Sequence, residues 1–505
     1  MTLLQSSALY RLWLFLRYAY GDSSLRRALA ALGRTCAGWF RDSRLVRFLC
    51  RERKTLWPQS LTCRVLTACT ACPGDLLHRW YLAWRATFDD SFFANLAFQL
   101  GHGTAIAESW YILCLWTIPF LYWDNAYSLI AFAFLLVLFH AGAMRHRSFR
   151  LDMADIGGFP LVFFLAVLLA VPLSYRPDLS ARFLWYHLPA ALCVLVTVSA
   201  VRCGEDLKRL CAGATGVTAA ASIYGVFQRI RGVRVNLSYV DLTLNPDMPG
   251  RVMSYFDNPN TFGEVLVILL PLVLSLAICA KSRMGKVLAG GVWAVGTAAL
   301  VMTYSRAGWV GFALSVGLMV LVLRPGLIPA LLLLCAAAVP LLPSAVWIRI
   351  LTIFNFSDTT TSSRFPLYDA ALSLLRQSPV YGGGLGVDAV KAYIRAYRLY
   401  KGTAPFVHAH NFYLEVWMET GLLGITSFLA SMAWSVKRGF WAVQKAAPSP
   451  ARTITCGASA GLCGIALCGM ADYPWHYPRV MVIFWFLFAM ALAGVKVCRR
   501  EAEQP

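Results

Sequence analysis

The chain has 505 residues, 58% of them hydrophobic and only 14% charged, with a formal net charge of +21. A soluble domain cannot hide that much apolar surface, which recurs here in runs of about 20 residues, the length a helix needs to cross a bilayer. The positive charge does not mark a nucleic-acid binder, because the basic residues cluster between apolar runs, where membrane topology places them.

Hydrocarbon forces every backbone N–H and C=O to be satisfied within its own segment, so these runs are helices unless they alternate as barrel strands do. They do not alternate. The expected fold is an all-α polytopic integral membrane protein with about twelve transmembrane helices, a long structured outer loop before the tenth span, and a cytoplasmic amphipathic N-terminal region.

Residues 1–108 form that region. Stretches such as LYRLWLFLRYAY and SLRRALAALGRTCAGWFRDSRLVRFLCRER repeat apolar and arginine positions at helical spacing. They read as interfacial helices whose arginines reach anionic headgroups, so membrane lipids are an expected partner. The alternative is a poorly ordered, family-specific extension. No early cleavable signal pattern precedes the first apolar span, so that span is expected to insert as an internal signal. Cys63, Cys69 and Cys72 resemble half a zinc site, but no second ligand pair follows at the right spacing, and they read as unpaired thiols.

The membrane domain is expected over residues 109–500, with spans beginning near Ser109, Ala126, Ile156, Arg182, Leu210, Thr261, Lys286, Ala307, Leu327, Asn411, Thr453 and Arg479. With the N-terminus cytoplasmic, roughly two thirds of the 46 lysines and arginines fall inside, as the positive-inside rule asks. All fifteen cysteines then fall in cytoplasmic segments or spans, away from an oxidising compartment. The expected localisation is the cell membrane, multi-pass, with both termini cytoplasmic.

Two outer loops are long, residues 229–260 and 346–410, and the other connections are tight. In the second loop, Ser362 and Ser363 are expected to cap a helix through RFPLYDAALSLLRQS. The glycine triplet Gly382 to Gly384 ends it, and Asp388 is expected to cap a further helix through AVKAYIRAYRLYKG. The tyrosines Tyr393, Tyr397 and Tyr400, interleaved with Arg395 and Arg398, fit sugar stacking and an interface-resting helix equally well. The loop enters the next span through HAHNFYLEVWMETGLLG, from His408 to Gly424. Further polar markers are TYSRAGW around Arg306, FDNPNTFGE around Asn258 and Asn260, and ADYPWHYPR with Asp472 and His476 in the last outer turn.

The chain resembles the O-antigen ligase family and its polymerase relatives. That family shows a His followed by Asn, Ser or Gln, then nine residues, a Gly, two residues, and a Gly, Thr or Val; His410, Asn411, Gly421 and Gly424 fit it. The motifs at Arg306, at Asn258 to Asn260 and from Ser363 add to the likeness, which runs from about Arg182 to Arg500 and leaves the N-terminal region unexplained.

The resemblance implies metal-independent transfer of a polyprenyl-diphosphate-linked saccharide to a glycolipid or polysaccharide acceptor at the outer face, with no cofactor. The departing diphosphate needs fixed cations, and arginine supplies a permanent planar charge suited to phosphate. Arginines on the outer side run against the positive-inside tendency, which points to Arg251, Arg306 and Arg364. Each also has a plain reading, as a solvated loop charge, a snorkelling interfacial residue and a first-turn helix residue respectively. His410 suits the general base that takes the acceptor hydroxyl's proton, with inversion at the anomeric carbon. His408, Asn258, Asn260, Asn411 and Asp472 are the expected substrate-binding groups, although helix capping accounts for Asn258 and Asn260 too. Two histidines at i and i+2 without a third ligand of convincing spacing argue against a metal. Polymerisation, with a second lipid-linked repeat as acceptor, shares the donor chemistry. A lipid-linked-glycan flippase belongs to another class, and the expected sign of a transporter, two matching halves, is not seen.

Overall fold

The structure is a computed structural model that describes residues 8–49, 56–117, 125–146, 150–236, 248–351, 364–402 and 405–503. Among these residues every regular element is a helix. Nine helices among the described residues are long and apolar enough to cross a membrane: Ala126–Arg145, Pro177–Ala200, Gly204–Arg231, Pro259–Cys279, Arg283–Met302, Arg306–Leu323, Phe412–Lys445, Pro450–Cys468 and Pro478–Glu503. They align with nine of the twelve expected spans. The spans expected near Ser109, Ile156 and Leu327 correspond to shorter helices, Thr104–Thr117, Gly158–Ala170 and Ile328–Ala338.

Pro478–Glu503 runs through the centre of the bundle. Its Phe484, Trp485, Phe486 and Phe488 are fully buried, as expected of a helix apolar on every side. Pro259–Cys279 and Pro450–Cys468 pack beside it, and Arg306–Leu323 packs on Pro450–Cys468. Small residues let these backbones meet, as membrane helices without a hydrophobic drive between them require. A Cβ on Gly311 would stand 2.6 Å from the Gly464 carbonyl oxygen.

The N-terminal helices dock on the end of the bundle that also holds the C-terminus. Trp57 Nε1 donates to the Met153 carbonyl at 2.9 Å, His78 Nδ1 lies 2.7 Å from the Met144 carbonyl oxygen, and Arg150 pairs with Asp75 at 3.1 Å. In Ser24–Asp42, Ser23 Oγ caps the Arg26 N–H at 3.1 Å. Gly33 lies so close to Gly326 that a Cβ there would be 2.4 Å from its carbonyl oxygen. Arg26, Arg27, Arg34 and Trp39 stay exposed on this helix. Fourteen cysteines among the described residues are free thiols, with Cys63, Cys69 and Cys72 along Leu61–Ala83.

Two expectations for the second long loop need correction. The helix Phe365–Gln377 follows Arg364, which sits in its N-cap position without a side-chain cap, and Ser362 and Ser363 lie outside the described residues. The next helix is Val387–Ala396, capped by Gly386 and shorter than expected. Asp388 stands in its first turn and is ion-paired to Arg182, because the positive φ of Gly386 starts the helix before Asp388 is reached.

The helix carrying the His410 motif, Phe412–Lys445, breaks its regularity at Gly421, where φ is 65°. A Cβ at Gly421 would lie 1.9 Å from the Val380 carbonyl oxygen, which instead accepts the Leu422 N–H at 3.0 Å. Only glycine permits both the conformation and the approach. The long loop is thereby held against the start of this span.

Candidate active site

The site forms at the end of the bundle opposite the termini, where three segments distant in sequence meet: residues 248–260, 405–411 and 470–478. Asn411 starts the Phe412–Lys445 helix, its Oδ1 accepting the Tyr413 and Leu414 N–H groups, both at 3.1 Å, while its Nδ2 donates to the Met470 carbonyl at 3.1 Å. Phe412 N–H donates to the Gly469 carbonyl at 2.8 Å. The capping residue thus also fastens the last loop of the bundle to the histidine segment.

That fastening brings Asp472 to His410. Asp472 Oδ1 lies 3.1 Å from His410 Nδ1, and Oδ2 accepts from Asn260 Nδ2 at 3.0 Å. Asn260 Oδ1 in turn accepts from Arg251 Nη2, and Arg251 Nε donates to the Thr303 carbonyl at 2.7 Å, in the turn that leads to Arg306. One hydrogen-bonded row therefore runs from Arg251 through Asn260 and Asp472 to His410. Arg364 acts electrostatically on both Asp472 and His408.

The histidines are differentiated by their surroundings. His410 N–H donates to His408 Nδ1 at 3.1 Å, which places the His408 proton on Nε2. Burial and the adjacent His410 push the His408 pKa down to about 2, so His408 stays neutral. Burial opposes the charge on Asp472, but the His410 hydrogen bond and the cations around it hold this carboxyl well below its usual range. Burial and Lys391 also lower the pKa of His476, whose ring centroid is 4.6 Å from that of His408. The contact places His410 Nδ1 on the carboxylate and leaves Nε2 as the ring nitrogen that does not face Asp472, and the His410 side chain keeps 34% exposure against 13% for Asp472.

His410 also adopts φ 46°, a left-handed conformation that costs a non-glycine residue energy and persists only when its surroundings impose it. Ser254 at 55° and Tyr304 at 52° share this feature. Ser254 is held by Gln228, whose Nε2 donates to its carbonyl at 2.7 Å and whose Oε1 accepts its N–H at 2.8 Å.

Several expected site residues are thus brought together: His408, His410, Asp472, Asn260 and Arg251, with Arg364 in electrostatic range. Arg306 begins its helix directly after the N-cap Ser305, three residues on from Thr303. Asn258 and Asn411 serve as helix caps, Asn258 Oδ1 accepting the Asn260 N–H at 2.8 Å. His408, His410 and Asp472 offer three ligand atoms within 4.8 Å of one another, so the third group missing from the local sequence is supplied from 62 residues further on. That geometry admits a metal ion, while His408 Nδ1, His410 Nδ1 and both Asp472 oxygens are engaged in the hydrogen bonds described.

Sequence reasoning missed Arg349 and Arg479. Both are buried at this end, with Arg349 Nε 3.5 Å from the Tyr304 carbonyl oxygen and the Arg479 guanidinium 5.7 Å from the Phe256 ring centroid. The signal that drew attention to Arg251, an arginine on the side poor in positive charge, applies to them equally. Glu264 is buried close to Asp472 and Cys468, and its Oε1 has no hydrogen-bond partner among the described residues. A cavity of about 390 Å³, lined among others by Tyr224, Phe227, Gln228, Arg231 and Met253, adjoins this end.

A bundle of helices long and apolar enough to cross a membrane defines the class: a polytopic membrane protein, with a polar, arginine-bearing cluster at one end. Within it, residues 291–429 match the family model described as O-Antigen ligase, a stretch that includes Arg306, Arg364 and the His410 motif. A curated protein of Haemophilus influenzae, described as an uncharacterized protein, is 30% identical over 77 residues, which cover 15% of this chain and 19% of that protein. The match therefore spans about a fifth of that relative's length.

Proposed function

We propose that the protein transfers a saccharide from a polyprenyl diphosphate to a glycolipid or polysaccharide acceptor at the outer face of the cell membrane. The observation that carries this reading is the His410–Asp472 pair held in a strained conformation at the end of an arginine-bearing hydrogen-bonded row. The acceptor hydroxyl oxygen bonds to the anomeric carbon as the bond from that carbon to the diphosphate oxygen breaks, its electron pair leaving with the diphosphate. His410 Nε2 takes the hydroxyl proton, and Asp472 stabilises the imidazolium that forms. Arg251, Arg306 and Arg364 are the cations assigned to the diphosphate. No metal is required in this scheme, since permanent cations meet the leaving-group charge.

The site end is assigned to the outside and both termini to the cytoplasm, supported by the bias of lysine and arginine toward the termini side. The test is to incubate membranes with a radiolabelled polyprenyl-diphosphate saccharide and candidate acceptors, with and without chelator. Label should reach an acceptor in wild type, persist under chelation and be lost in His410→Ala. Transfer to a second lipid-linked repeat would identify a polymerase instead of a ligase. Label that stays on its lipid while the lipid changes leaflet would replace transfer with transport, and loss of transfer on chelation would give the His408, His410 and Asp472 cluster to a metal.

A further inference from the structure

Glu415 and Glu419 stand four residues apart on one face of the Phe412–Lys445 helix and are almost wholly inaccessible. A carboxyl group in a span costs roughly 2.5 to 3.5 kcal/mol on insertion scales, so its presence there asks for a reason. Both side chains point back toward the site. Glu415 Oε2 accepts the backbone N–H of Ala409, the residue between the two histidines, at 2.7 Å. Glu419 Oε1 accepts the Tyr473 hydroxyl at 2.9 Å, and Tyr473 directly follows Asp472.

The Glu415 contact is not an ordinary cap. In a capping box an acid in the first turn reaches back to the N-cap N–H. Here the N-cap is Asn411, and Glu415 reaches two residues beyond it, which it can do because the left-handed His410 folds the chain back over the helix start. The bond to Ala409 therefore exists only while His410 keeps that conformation. One turn along, Glu419 fixes the other half of the pair: Tyr473 N–H donates to Asp472 Oδ1 at 2.9 Å, so anchoring Tyr473 sets where that oxygen lies. The Gly386 backbone also lies within hydrogen-bond reach of Glu419. One helix face thus holds both sides of the His410–Asp472 contact.

We propose that Glu415 and Glu419 are positioning residues for the transfer reaction, Glu415 holding the His410 segment and Glu419, through Tyr473, the Asp472 segment. Neither touches substrate; they act through the histidine and the aspartate. This inference rests on the role given to His410 under the proposed function.

The test uses the full chain in nanodiscs, at matched amounts of folded protein. Glu415→Met keeps the volume but removes the acceptor, and Glu415→Gln keeps an acceptor oxygen. Transfer kinetics should show kcat reduced about 10- to 100-fold in the Met variant with KM nearly unchanged, the loss expected from displacing a catalytic group by about an ångström. The Gln variant should recover most of it, and Tyr473→Phe should reproduce the kcat loss from the Glu419 side. Hydrogen exchange of a peptide spanning 406–412 gives a readout independent of transfer. It should be slow in wild type and in Glu415→Gln, and fast in Glu415→Met. Wild-type kcat in the Met variant, a KM effect in place of a kcat effect, or failure of Gln to rescue would overturn the proposal. Should the Met variant not fold, fast exchange of 406–412 in wild type would overturn it alone. If wild type moves no label while exchange behaves as expected, the transfer reading fails and the positioning of the histidine segment stands.

Discussion

The two ends of this bundle hold polar groups in opposite ways. At the termini end, charges are buried in mutual pairs. Lys496, 1% exposed, lies 3.4 Å from Asp152 and donates to the Val198 carbonyl, while Asp155 receives Arg499 at 3.0 Å and Arg438 at 3.5 Å. At the site end, the His410 row is bonded in one particular geometry, and the four non-glycine residues with positive φ among the described residues, Ser254, Tyr304, Arg398 and His410, fall on this side. Paired charges in relaxed backbone tie helices together. On the proposed function, strain held by neighbours keeps groups ready for a ligand, and the contrast separates a structural cluster from a working one where composition cannot.

The comparison is sharpened most by His410→Ala. Transfer should fall by about 10²- to 10⁴-fold, the usual contribution of a general base, while thermal unfolding in detergent changes only by the loss of one hydrogen bond from a partly exposed side chain, since Ala keeps the Cβ that sets the backbone cost. A large loss of stability instead would make His410 a structural residue. The reverse is expected for Lys496→Met, which leaves Asp152 without its buried cation. Stability should drop by roughly 3 to 5 kcal/mol and return largely in the double variant with Asp152→Asn, with kcat per folded molecule unchanged. A kcat effect there would mean that the two ends are coupled.

The third outcome concerns pH. His408 has a folded pKa of about 2, against an ordinary value near 6.5, so below pH 6.5 the unfolded chain binds a proton that the folded site refuses. Stability contributed by neutral His408 is complete above pH 6.5 and declines by up to roughly 1.4 kcal/mol per pH unit below it. Asp472 works in the same sense but in a more acidic window. Its folded pKa is depressed, so its contribution is present above the unfolded carboxylate pKa of about 3.9 and fades only in stronger acid. Unfolding midpoints between pH 7 and 5 should therefore fall in wild type and flatten in His408→Gln; an unchanged slope would remove His408 from the buried site.

The smallest effect belongs to the N-terminal helices. We read their exposed arginines as partners of anionic lipid, with about 1 kcal/mol for each arginine near the surface. Replacing Arg26, Arg27 and Arg34 with Gln should reduce the stabilisation gained on moving from zwitterionic to anionic nanodiscs, without altering transfer. Equal stability in both lipids for wild type would leave these helices as packing against the bundle alone.

The sequence by itself determined the membrane class, the position of the long spans and the His410 motif. Apolar run length and residue spacing are local properties that no partner is needed to express. Arg251, Asn260, His410 and Asp472 were also legible as separate polar residues near span ends. Only the tertiary structure decided that they form one row, because Asp472 meets His410 across 62 residues through the caps at Asn411 and Gly469. It also decided which asparagines became caps, where Gly386 starts its helix in place of Asp388, and that Glu415 and Glu419 look toward the site and not into lipid. Hydrogen-bond partners are chosen by packing in three dimensions, and a one-dimensional pattern carries the groups without their pairing.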